Sequence, residues 1–114
     1  MMPKVVRLKD FKRKESASVY FTKNELNQLI SHYSRRVISG EWKDYAIDHG
    51  KGMSAFSIYR DTGTHPVFTV FKYAKGSHRH GDYVVGSGGN MLKRGKKLSD
   101  VLSVFDRHLK LVSR

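Results

Sequence analysis

The run Gly86-Ser87-Gly88-Gly89-Asn90-Met91-Leu92-Lys93-Arg94-Gly95-Lys96-Lys97 joins bare glycine peptides to four cations. Glycine lets backbone NH groups approach an anion closely, and ammonium and guanidinium groups neutralise it, which is the chemistry of a phosphate contact. A Walker-type nucleotide loop is excluded by spacing. Arg94 stands where the interval from Gly89 requires glycine, and lysine occupies the place of the hydroxyl residue. Two readings stay open: general polyanion contact through Lys93, Arg94, Lys96 and Lys97, and a flexible hairpin tip leading through a solvated basic turn into the last helix.

His78-Arg79-His80-Gly81-Asp82 offers a second constellation. In an extended segment His78, His80 and Asp82 point to one side and supply three metal ligands. Lys75 and Arg79 oppose a dication there, so a solvated turn is the stronger reading and no metal or cofactor is implied. Asp44 and Asp48 share a strand face but stand about 13 Å apart at ~3.3 Å per residue, beyond the ~5 to 9.5 Å of paired glycosidase carboxylates. Pairing with Arg35, Arg36 or Arg60 suits them better. The chain has neither a Gly-x-Ser-x-Gly elbow nor a cysteine thiol, so an enzyme is not excluded but no residues nominate its reaction.

Charge is the stronger signal. Of the net +12, Met1 to Ala17 contributes +4 and Lys72 to Lys97 contributes +6, leaving the other seventy-one residues nearly neutral. Segregated charge of one sign points to an anionic partner rather than to a fold. The cations in question are Lys12, Arg13 and Lys14 in the first block and Lys72, Lys75, Arg79, Lys93, Arg94, Lys96 and Lys97 in the second. Nucleic acid is the obvious polyanion, since each neutralised phosphate releases counterions. Tyr59, Phe71 and Tyr73 add a stacking platform if they lie on an open sheet face, and belong to the core otherwise. A competing reading is a protein-interaction or homo-oligomer module.

The elements that position these residues follow from periodicity. Residues 1–17 read as a flexible basic arm and 18–114 as one domain. Thr22 and Glu25 have capping-box spacing and Phe21 and Leu26 that of a hydrophobic staple, so a helix begins here. It runs from about 23 to 39, with Leu26, Leu29, Ile30, Tyr33, Val37 and Ile38 as its apolar face and Gly40 as its stop. Short β-rich runs follow at 41–49, 53–60, 66–73 and 82–86, divided by glycine-containing turns. Trp42 and Tyr45 are expected to anchor the first of these strands to a helix. Apolar residues on both faces of these runs suggest that more than one sheet face is covered. Leu98, Val101, Leu102, Phe105, Leu109 and Val112 mark a final amphipathic helix. The fold class is therefore α+β, an antiparallel meander of about four strands with an N-terminal and a C-terminal amphipathic helix packed on it.

The absence of cysteine fits a reducing compartment, and no apolar run suits a signal peptide or a bilayer span, so a cytoplasmic location is expected. Gly40-Glu41-Trp42-Lys43-Asp44-Tyr45-Ala46-Ile47-Asp48, Ala55-Phe56-Ser57-Ile58-Tyr59-Arg60, Leu92-Lys93-Arg94-Gly95 with Leu98 and Val101-Leu102, and Phe105-Asp106-Arg107-His108-Leu109-Lys110-Leu111-Val112 occur in this order. In these blocks the chain resembles the domain-of-unknown-function family 2794, small proteins of alphaproteobacteria, over about 19–112. The resemblance implies a bacterial cytoplasmic context and carries no assigned activity. Taken together, the residues describe a small basic binding module.

Overall fold

Thr22 begins the first helix as its spacing requires. Its hydroxyl accepts from the Glu25 NH at 3.1 Å while the Glu25 carboxylate accepts from the Thr22 NH at 2.8 Å, a complete capping box. In the computed structural model, which describes residues 18–61 and 65–112 and the side chains as far as 106, helix α1 spans Lys23–Ile38 and is closed by Ser39 and Gly40. The strands are β1 (Ser18–Val19), β2 (Asp44–Lys51), β3 (Met53–Tyr59), β4 (Phe68–Tyr73), β5 (Tyr83–Ser87) and β6 (Asn90–Gly95), and helix α2 spans Leu98–Val112. They form one antiparallel sheet in the order β1-β2-β3-β4-β5-β6. The α+β class and the meander hold, but the sheet has six strands among the described residues rather than four.

Each added strand has a local cause. Gly88 and Gly89 both take positive φ, 56° and 84°, between the paired residues Ser87 and Asn90. That is the two-residue turn whose twist matches a hairpin, so Asn90 to Gly95 folds back on β5 instead of forming a solvated turn. β1 is held by the buried Ser54 hydroxyl, which donates to the Val19 carbonyl, and Val19 is itself buried.

Alternation along the strands separates two faces. Phe56, Ile58, Phe68, Val70 and Val85 meet Leu29 of α1 and Leu98, Val101, Leu102 and Phe105 of α2 in one core. Trp42, just before β2, closes it with its ring edge-on to Phe105 at 5.1 Å and to Phe68 at 6.0 Å, while Tyr45 meets Tyr33 at 4.8 Å, so both anchor the strand as expected. Both helices therefore lie on the same side, and no described element covers the other, which corrects the expectation of two covered faces.

Leu26, Leu29, Ile30 and Tyr33 of α1 pack on the core as expected, but Val37 and Ile38 at its end do not. The buried residues of the helix are Glu25, Leu29 and Arg36, whereas Ile38 is 87 % exposed. Arg36 takes the inward place near the helix end because its guanidinium has partners there. It donates to the Phe105 carbonyl at 2.7 Å, reaches the Asp106 carboxylate at 3.5 Å and lies 5.5 Å from the Trp42 ring. Arg36 thus pairs with α2 and not with Asp44 or Asp48. Asp44 instead accepts from the Tyr45 NH.

The β4–β5 loop closes against the start of α2 through two glycines. At Gly81, φ is 128° and an added Cβ would overlap the Gly95 carbonyl, whereas Gly76, at φ 77°, has open space around it. Gly81→Ala is therefore expected to cost more than about 3 kcal/mol and Gly76→Ala about 1 kcal/mol, read as urea midpoints. Equal losses would show that backbone strain alone, without the Gly81–Gly95 contact, governs the loop.

Candidate nucleic-acid interface

Register decides where the cations go. The partners Ser18–Lys51, Met53–Tyr73, Tyr73–Asp82 and Tyr83–Gly95 mark one end of the sheet. Lys51 lies in the β2–β3 hairpin, Lys75 and Arg79 in the β4–β5 loop, and Arg94, Lys96 and Lys97 at the β6–α2 junction, all at this end. All but Arg94 are exposed. The opposite end, marked by Asp44 paired with Tyr59, mixes Glu41, Asp44 and Asp61 with Lys43 and Arg60. The field of the described residues is consequently asymmetric along the strands.

Both helices strengthen it. Glu25 in the first turn of α1 reaches Lys72 and Tyr83, and α2 begins three residues after Gly95, so both N-termini, the positive ends of their dipoles, face the basic end. Lys96 and Lys97 immediately precede α2, where cations oppose the dipole. Only Asp100 answers them in its first turn.

The residues nominated from the sequence fall in different places. Lys75, Arg79, Lys96 and Lys97 project into solvent, and Lys93 is half-buried on the helix side of β6 opposite Val85. Arg94 lies on the helix-free face, donating to the Gly81 carbonyl at 2.9 Å with its guanidinium 5.9 Å from the Tyr73 ring centre. Lys72 is engaged elsewhere, since its ammonium donates to Glu25 at 2.7 Å and to the Tyr20 carbonyl at 2.7 Å. Lys12, Arg13 and Lys14 lie outside the described residues, although Ser18, the first described residue, pairs with Lys51 at the basic end.

Lys72 belongs to a polar cluster that spacing alone did not reveal. Glu25, 8 % exposed, accepts from the Thr22 NH, the Lys72 ammonium and the Tyr83 hydroxyl. Burial by itself raises its pKa, but these three hydrogen bonds and the Lys72 charge outweigh burial and hold the carboxyl below its ordinary range. Burial and the Glu25 bond push the Tyr83 hydroxyl far up, so it remains a donor. The helical interval of Glu25 to Leu29 and Arg36 was the available signal, masked by the assumption that only apolar residues face inward.

His78, His80 and Asp82 do not form the ligand set that an extended chain would give. The segment is a turn, in which the Asp82 carboxylate accepts from the Gly76 NH at 3.0 Å and His78 accepts from the His80 NH at 3.1 Å. Among the described residues, no three His, Asp or Glu side chains are grouped to hold a metal ion. No described helix is long and apolar enough to cross a membrane.

The helix-free face carries Phe71 and Tyr73, both partly exposed, toward its basic end, whereas Tyr59, also on this face and partly exposed, pairs with Asp44 at the opposite end. Ala55 lies opposite Phe71, and Val84 lies between Phe71 and Arg94, so these small buried residues are covered by larger neighbours. Phe71 and Tyr73 are 6.0 Å apart with planes inclined by 23°. Two members of the expected platform, Phe71 and Tyr73, therefore form a partly exposed surface flanked by Met91, 60 % exposed, while Tyr59 stands apart from them.

An α+β domain with a one-sided helical layer and a basic sheet end is the class these features define. The chain matches the family model described as a protein of unknown function (DUF2794) over residues 19–102, and it belongs to that family. No curated protein matches it, and no solved structure does. The matched span includes Val19 of β1, α1, the whole of β2 to β6 and the start of α2.

Because Glu25 is more acidic in the fold than its unfolded value of 4.5, the unfolded chain binds more protons as pH falls below that value. Its contribution is complete above about pH 4.5 and is lost as pH drops through the depressed folded pKa. Glu25→Gln is expected to cost about 2 kcal/mol at pH 7 and to flatten the acid limb of a urea-denaturation series from pH 7 to 3. An unchanged acid limb would assign the acid sensitivity to other groups.

Proposed function

We propose that this protein is a small cytoplasmic module that binds nucleic acid with little sequence preference, contacting phosphates through the basic end of its sheet. The observation that carries the reading is the collection of Lys51 and Arg94 at strand ends with Lys75, Arg79, Lys96 and Lys97 in the adjoining connections, six cations against Asp82 and Asp100 at one end, while the other end is evenly mixed in charge. Lys96 and Lys97 before α2 support it further. Two cations at a helix N-terminus work against the helix itself, a local conflict that an anionic ligand relieves.

Phosphate contacts of this kind carry no base information and respond steeply to salt. A fluorescein-labelled oligonucleotide is expected to bind at low salt, with affinity falling linearly on a log–log plot against salt concentration. Reversing Lys75, Arg79, Lys96 and Lys97 to glutamate together should weaken binding at least tenfold and lower the slope by about 3, at ~0.7 to 0.9 per phosphate contact. Binding absent at low salt, or unchanged by the four reversals, would overturn the reading. The four positions are exposed turn residues, so the variant keeps its core.

A further inference from the structure

Beside Phe71 the helix-free face opens into a groove of about 280 Å³, walled by Phe71, Tyr73, Thr69 and Met91 and floored by Gly86 and Gly89. A second hollow of about 350 Å³ shares Thr69, Gly86 and Gly89 and extends toward His65 and Pro66. The two are continuous along β4 and β5. No carboxylate lines either one, so neither suits a cation.

One end of the groove is already a stack. The Arg94 guanidinium lies over Tyr73, and Tyr73 stands beside Phe71 with nearly parallel rings. The floor stays open because of Gly86, where an added Cβ would lie 3.9 Å from Phe71 Cε2 and 3.3 Å from the Asn90 carbonyl. Backbone of extended form bears a side chain at that position in most strands, and here its absence leaves a flat space next to an aromatic ring. The groove meets the basic end at Tyr73 and Arg94, so a chain whose phosphates lie on Lys75, Arg79 and Lys96 has its next residues over Phe71.

We propose that this groove is a stacking site for unpaired nucleobases, continuing the series Arg94, Tyr73, Phe71 with one or two bases of a single strand. The inference rests on the phosphate-binding reading above and adds the ligand class. Bases of a duplex are already stacked and paired, whereas every unpaired base presents a π-face that an aromatic side chain accepts without sequence preference. Met91 closes the flank as a polarizable, adaptable side chain.

The test compares three fluorescein-labelled probes of one sequence at one salt concentration: a single strand, its duplex, and a strand of the same length with abasic sites at its centre. The abasic strand keeps the phosphates and loses the stacking partners. The expected result is on the order of tenfold tighter binding of the intact strand than of the abasic one. Tyr73→Leu and Met91→Ala should narrow that ratio, and Tyr73→Phe should preserve it. In the unaltered protein, a 2-aminopurine placed at the centre of the strand should lose fluorescence on binding, a readout that needs no variant to fold. Equal affinity for intact and abasic strands, or unchanged 2-aminopurine emission, would overturn the stacking site and leave phosphate binding standing. No binding of any probe at low salt would overturn both.

Discussion

A single carboxylate holds the arrangement together. Glu25 closes the capping box of α1, reaches across to Lys72 on β4 and Tyr83 on β5, and thereby fixes where the helix lies on the sheet. A buried charge of this kind is costly unless it is paired, and three donors, one of them the Lys72 ammonium, supply that compensation. Arg36 does the same work at the far end of α1, where it clasps the Phe105 carbonyl and Asp106. The helix is thus pinned at both ends by charges of opposite sign. An apolar stripe alone permits sliding and rotation, but these two contacts permit one register.

That placement has a consequence on the other side of the sheet. With both helices committed to the face that bears Phe56, Phe68, Val70 and Val85, Phe71 and Tyr73 of β4 are left on the outer face. The withdrawal of Lys72 into the Glu25 cluster also sharpens the charge distribution, because the cations of this end that remain exposed sit in the connections or, as Lys51 does, at a strand terminus. Core and surface are linked through one lysine. Gly81 and Gly95 complete the junction, since their close approach brings the β4–β5 loop and the β6–α2 turn to the same end of the strands.

Much of this was legible in the residues themselves. The capping box, the meander and the amphipathic stripe of α2 follow from local rules that tertiary contacts leave intact. β6 was less legible because Asn90, Lys93, Arg94 and Gly95 have weak strand propensity, and pairing with β5 through a Gly-Gly turn overrides it. The inward side of α1 is not legible near its end, because Val37 and Ile38 look like core while Arg36 does not. Pairing with α2, sixty-nine residues away in the chain at Phe105, reverses that order, and no local pattern carries such information. The site was half legible: the cations were visible as a charge block, whereas their convergence depends on strand register. Lys72 counted with them in sequence and is removed only by its partner.

The central claim is that one end of this sheet, together with the face next to it, receives a polyanion. Titration of the ¹⁵N-labelled protein with a short single-stranded oligonucleotide, followed by amide chemical shifts, addresses it directly. The account predicts shifts concentrated at Phe71 to Gly81 and at Met91 to Lys97, with Asp44 to Ile47 and Arg35 to Ser39 unmoved. Shifts centred on the exposed end of α1 around Ile38, or no shifts at low salt, would contradict it.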